Sequence, residues 1–188
     1  MNNEIKVSEI FETICSVGQN AGEPVLAVKV DKEGKKYTIK QMIDILAKTH
    51  KGMINWLGDD LMDYGDQIEE IINKTKFRDH QVQTNAEPLH PVLKKFDYVC
   101  FTPRNVVAAE NCLKFLKRFV DLYWNVVDIA ITTDIDSVGK ELLGYASMLI
   151  SSDESKKSKR KVWKYCVEHN LRYSPRLNLE IFGKDKEV

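Results

Sequence analysis

The sequence predicts a single α/β domain built around a parallel sheet. Runs with strand-like apolar patterning alternate with runs of helical period along most of the chain, the rhythm of strands joined by crossover helices. No shift in composition and no long Pro/Gly/Ser stretch marks a second domain. A chain of 188 residues, 43% hydrophobic, carries enough apolar material for one core.

The elements follow in order. PVLAVKV at 24–30 is β-branched and bounded by Gly22 and Gly34, which reads as a strand. Residues 37–50 put Ile39, Met42, Ile43, Leu46 and Ala47 on one helical face, with Thr38 as the N-cap. MINWLG at 53–58 is a strand ending in glycine, and an amphipathic helix follows at 63–75. HQVQTN at 80–85 is a third strand, after which Pro88 opens a short helix over 88–95. DYVCFT at 97–102 is a strand stopped by Pro103. A long helix is expected over 105–123, its face carrying Val107, Leu113, Leu116 and Val120. VVDIAIT at 126–132 is a fifth strand, a helix begins near Asp136, and ASMLIS at 146–151 is a sixth strand. SDESKKSKRK opens another helix before LRYS at 171–174, a short seventh strand. Parallel strands gather functional groups at their carboxyl ends, so those ends are the place to search.

Composition excludes several classes. Lys+Arg and Asp+Glu each number 28, so the formal charge is zero and gives no global support for nucleic-acid binding. The basic run Lys156, Lys157, Lys159, Arg160, Lys161 and Lys164 is partly offset by Asp153 and Glu154. It reads first as a solvated helix face and only second as a contact for RNA or an acidic partner. No apolar run approaches the roughly 18–20 residues that span a bilayer, so no membrane association is expected. MNNEIKVSEIF carries acidic residues where a secretory signal has its apolar core, and a cytoplasmic location follows as an expectation. Cys15, Cys100, Cys112 and Cys166 are then expected as reduced thiols packed as small hydrophobes. Their separations fit neither zinc-finger nor local iron–sulfur spacing. His50, His80, His90 and His169 lack HxH or HxxxH spacing, and no GxSxG elbow, P-loop or GxGxxG occurs. No metal site and no catalytic residue is expected from these patterns.

The strand ends have a further order. VSEIFETICSVGQNAGEPVLAVKV is followed by NWLGDD, VQTNA, VCFTPR and finally LRYSPRLNLEIFG. This series resembles 7-carboxy-7-deazaguanine synthase, a radical SAM family of deazapurine synthesis, over nearly the whole chain, although each motif is weak by itself. The family's EIF…QGEG…G-x-P opening, its GGEP, ETNG and SPK strand ends and its R-x-S closing segment have counterparts here. The resemblance implies a partial parallel barrel of (βα)6 type, radical-SAM-like, in one domain over residues 1–188. It also implies a divergent relative, because VLAVKV runs directly into DKEGKKYT and the CxxxCxxC loop is missing after about residue 30. The loss is either natural or a deletion introduced into the gene.

The site residues that the resemblance implies are the strand-end matches. Gly58 and Asp59 stand against GGEP, with Asp60 where proline stood; Gln83, Thr84 and Asn85 stand against ETNG with the glutamate neutralised. Thr102, Pro103 and Arg104 stand against SPK, and Lys29 replaces a substrate-facing arginine, losing its planar fork. Gly18, Gly22, Pro24, Arg172, Ser174, Pro175 and Gly183 match turn or closing positions, whereas Arg176 and Asn178 replace a glutamine and a histidine. A residual pocket for S-adenosylmethionine or a substrate would thus use Lys29, Gly58, Asp59, Thr84, Asn85, Thr102, Arg104, Arg176 and Asn178. No iron–sulfur cluster or other cofactor is expected beyond residual S-adenosylmethionine binding. Two functions stay open: a non-catalytic binding, regulatory or assembly subunit, or a non-radical enzyme or carrier using the emptied pocket. The expected partners are a second copy of the chain, from the family's homodimers and from Phe11, Trp163, Tyr165, Tyr173, Ile181 and Phe182, and a protein of deazapurine metabolism.

Overall fold

The structure, a computed structural model, describes residues 3–85, 87–119, 126–131, 135–151 and 155–182. The expected last turn of the 105–123 helix, residue 132, Asp153, Glu154, Gly183 and the Phe182 side chain lie outside the described residues.

The chain opens with an antiparallel unit that periodicity does not announce. Strand β1 (Glu4–Ile14) pairs with β2 (Pro24–Val30) on one side and with β3 (Lys35–Thr38) on the other. Its register shifts between Val7 and Glu9, so the alternation breaks midway; only Ile5 and Val7 on this strand are fully buried. A strand with two buried residues and a bulge leaves little period-two signal.

The rest follows the expected rhythm. Helix α1 (Ile39–Lys48) starts at the anticipated cap: the Thr38 hydroxyl accepts from the Gln41 backbone N–H at 3.2 Å, and the Gln41 side chain accepts from the Thr38 N–H at 2.8 Å. Strand β4 (Met53–Leu57) leads through a 3-10 turn (Leu61–Tyr64) into α2 (Gly65–Lys74). Strand β5 (Asp79–Thr84) and β6 (Tyr98–Phe101) flank a second 3-10 turn (Pro91–Lys95), shorter than the helix expected there. Asn105 caps α3 (Val106–Phe119) by accepting from the Ala108 N–H at 2.8 Å. After β7 (Val126–Ile131) come two short helices, α4 (Ile135–Val138) and α5 (Lys140–Leu143), in place of one. Strand β8 (Met148–Ser151), α6 (Lys156–His169), β9 (Arg172–Pro175) and the unanticipated α7 (Leu177–Phe182) complete the order.

The nine strands form one sheet in the order β3-β1-β2-β4-β5-β6-β7-β8-β9, parallel from β2 onward. Six crossover connections therefore join seven parallel strands, and the sheet stays open between β3 and β9 among the described residues. The main core lies between sheet and helices. Leu26, Val28, Ile54, Trp56, Val82, Phe101, Ile129 and Leu149 from the strands meet Met42, Leu46, Ile68, Ile71 and Cys112 from the helices. Each fully buried large side chain of this kind contributes roughly 1.5–3 kcal/mol relative to exposure.

One polar group is built into that layer. The Trp56 indole N–H donates to His80 Nδ1 at 3.1 Å, so the ring proton sits on Nε2, facing the Thr75 carbonyl at 3.3 Å. Burial lowers the His80 pKa from 6.5, and the ring is held neutral.

Candidate functional site

At the strand carboxyl ends two pairs of the implied ligand residues, Asp59 with Arg104 and Thr84 with Thr102, are engaged with each other. Residues 31–34 alone join β2 to β3, and Lys32 from this turn reaches over the end of β4. Its ammonium lies 2.6 Å from Asp63 and 3.1 Å from Asp60, and its backbone N–H donates to Asp60 at 3.0 Å. The hydrogen bond to Asp63, then that to Asp60, raises the Lys32 pKa; the backbone hydrogen bond from Lys32 lowers that of Asp60. Asp59 and Arg104 form an exposed ion pair at 2.8 Å, so the carboxylate and guanidinium expected to meet a ligand meet one another. Lys29 pairs loosely with Glu9 at 3.7 Å.

Gly58 is a backbone requirement. Its φ is +121°, and a Cβ there would run into the Val30 carbonyl, because the end of β4 presses on the end of β2. Thr102 donates twice to the Thr84 carbonyl, from its N–H at 2.8 Å and its hydroxyl at 3.1 Å. The Thr84 side chain is buried on the same strand face as His80 and Val82, which is the helix side. Asn85 turns the chain, its side-chain oxygen accepting from the Glu87 N–H at 3.0 Å. Arg176 and Asn178 are half-buried at the start of the C-terminal segment, and the Arg176 Nε is buried without a hydrogen-bond partner among the described residues.

The sheet face away from the helices holds a second set of residues. The β1–β2 loop, residues 15–23, folds into this concave face. Val17 packs against Cys100, Ala130, Met148 and Ile150, forming a small apolar cluster inside the partial barrel. Gly18, with φ +78°, lies so close to Asp128 that a Cβ would stand 2.5 Å from the carboxylate oxygen. Next to it, Gln19 donates to Asp128 from its backbone N–H at 2.9 Å and from its side chain at 3.4 Å. Arg172 donates to the Gln19 side-chain oxygen at 3.1 Å. Burial raises the Asp128 pKa, opposed by those Gln19 hydrogen bonds and by the Arg172 charge.

Nearer β4 the interior stays polar. Gln81 donates to Cys15 Sγ at 3.3 Å and accepts from the Asn20 amide at 2.9 Å. Asn55, 3% exposed, has a buried side-chain oxygen with no hydrogen-bond partner among the described residues. The Leu177 N–H donates to the Ser16 carbonyl at 2.9 Å, joining the C-terminal segment to the loop.

Periodicity and motif matching passed over Asn55, Gln81 and Asp128. For Asn55 and Asp128 the signal was there, a polar residue within an apolar strand run, in MINWL and VVDIAI; Gln81 lies in the polar run HQVQT and carries no such mark. A buried polar side chain needs partners, so parity along those strands marks the concave face.

No family model and no curated protein matches the chain. Among solved structures it is similar to QueE from Escherichia coli, with a TM-score of 0.53 and 11% identity, over 93% of this chain and 94% of that one. The chain therefore shares the α/β fold of QueE, 7-carboxy-7-deazaguanine synthase, and its own sheet, open among the described residues, carries the two clusters of side chains described above.

Proposed function

We propose that this chain is a divergent relative of 7-carboxy-7-deazaguanine synthase that has lost radical chemistry and works as a binding, regulatory or assembly subunit. The observation that carries the reading is the Lys32 clasp. The cluster loop of the family would leave the sheet at the end of β2; here a four-residue turn crosses that point and is tied to Asp60 and Asp63. The donor set does not fit a cubane. Cluster ligation needs convergent thiolates, and the four cysteines stand at the end of β1, on β6, on α3 and on α6, all buried. Burial raises every one of them, Cys112 to about 12 and Cys166 to about 11. Among the described residues no three His, Cys, Asp or Glu gather as metal ligands. Anaerobic reconstitution with iron and sulfide tests the reading. It predicts substoichiometric iron without a spectral response to S-adenosylmethionine; a stoichiometric four-iron cluster that responds would refute it.

A second reading rests on Asn55 and Arg176. An unpartnered buried acceptor and an unpartnered guanidinium Nε suit an emptied pocket that still takes a small polar ligand, S-adenosylmethionine or a purine-like molecule. Calorimetry with S-adenosylmethionine, S-adenosylhomocysteine and deazapurines tests it, and flat titrations at millimolar ligand would remove it.

A further inference from the structure

Helix α6 carries a surface that neither reading uses. Its buried side is narrow, with Val162 and Cys166 against the sheet. On the flank beside β9, residues 156, 160, 163 and 167 fall in one row by helical spacing: Lys156, Arg160, Trp163 and Val167. Trp163 is 58% exposed and meets Tyr173 edge to face at 5.3 Å; Val167 and Ile181 of α7 are 69% exposed. Lys159 and Lys164 are balanced by Glu180 and Glu168. Lys156, Lys157 and Arg160 are exposed and have no ion-pair partner among the described residues.

These charges sit where they cost stability. The first turn of α6 has no acidic residue and three lysines, Lys156, Lys157 and Lys159, at the positive end of the helix dipole. The zero formal charge of the chain hides this local excess. We propose that the α6 flank, with Lys156, Lys157, Arg160 and Trp163, is a docking surface for a single-stranded nucleic acid, its phosphates met by the cations and a base stacked on the indole. Lys156 and Arg160 lie about 6 Å apart along the helix axis, comparable with one step of an extended strand. A cationic row beside an exposed aromatic is the combination that single strands use. A lipid surface is a poorer match, because the apolar side of α6 is spent on the sheet and only Trp163 and Val167 remain. A two-fold contact with a second copy would set the unpaired cations of both chains together. It would also have to do without Phe11, which lies on β1, far along the strand order from β9.

The test is fluorescence anisotropy of the full chain with a labelled 12-nucleotide oligo-dT, against salt. Three phosphate contacts give a log–log slope near −2, so affinity should fall about 20-fold between 50 and 200 mM salt. Trp163→Ala should weaken binding about tenfold and Trp163→Phe should retain most of it. The triple Lys156→Ala, Lys157→Ala, Arg160→Ala variant should flatten the salt slope without lowering the thermal midpoint, since it removes charges that oppose the helix dipole. The proposal is overturned by absence of salt-dependent binding, or by equal affinity in all variants. It is equally overturned by binding to phosphatidylglycerol vesicles in place of the oligonucleotide, or by a dimer in sedimentation that Trp163→Ala dissociates.

Discussion

Gly18→Ala probes how firmly the β1–β2 loop is held in the concave face of the sheet. Two costs add. A residue with a Cβ at φ +78° pays about 1–2 kcal/mol for the left-handed backbone. The new methyl also stands 2.5 Å from the Asp128 carboxylate oxygen, which has to move and release the 2.9 Å hydrogen bond from the Gln19 N–H. A hydrogen bond to a charged group is worth about 1.5–3 kcal/mol, giving a total of roughly 2.5–5 kcal/mol. That is a large part of the stability of an ordinary domain and corresponds to a drop of roughly 10 °C in Tm.

Two comparisons separate the terms. Gly22 also has positive φ, +99°, but a Cβ there meets nothing within 4 Å, so Gly22→Ala should cost only the backbone term, about 1–2 kcal/mol. In an Asp128→Ala background the collision at position 18 is gone. The double variant should then be about 1.5–3 kcal/mol more stable than the sum of the single effects. Urea unfolding of the parent, both single variants and the double variant gives the coupling directly. Additivity within about 0.5 kcal/mol, or a Gly18→Ala cost no larger than that of Gly22→Ala, would show that Asp128 does not hold the loop.

Three further outcomes are expected. Gly58→Ala should be among the most damaging single changes, above about 3 kcal/mol in urea unfolding, because the obstructing atom is the Val30 carbonyl oxygen; Gly52→Ala, with open space around it, is the neutral control. Thr38→Ala removes the hydroxyl that accepts from the Gln41 N–H, leaving the bond from the residue 38 N–H to the Gln41 side chain, and should cost about 1 kcal/mol, while Thr38→Ser should retain most of the stability. His80 has a folded pKa below 6.5, so its contribution is fully present above pH 6.5 and is lost as the pH falls from 6.5 toward the depressed folded value. The slope there is at most about 1.4 kcal/mol per pH unit, and urea midpoints from pH 7.5 to 5.5 should fall more steeply for the parent than for His80→Gln.

The positions of the seven parallel strands were legible in the sequence because each is a local signal. Short runs such as PVLAVKV, MINWL and YVCF, bounded by Gly22, Gly58 or Pro103, declare themselves without reference to the rest of the chain. The Thr38 cap is likewise a contact across three residues. Order along the chain puts Asp59 and Arg104 at strand ends but says nothing of their pairing: 45 residues apart, they form an ion pair, and Lys32 crosses to Asp60. β1 escaped because its bulge breaks the alternation, and the interior set escaped because its partners are distant in sequence. Asp128 is held by Gln19 across 109 residues and Gln81 by Cys15 across 66. Local backbone preference and apolar period fix which segments extend or coil. Which polar side chains face one another across a sheet depends on strand order and register, and only the assembled tertiary structure sets those.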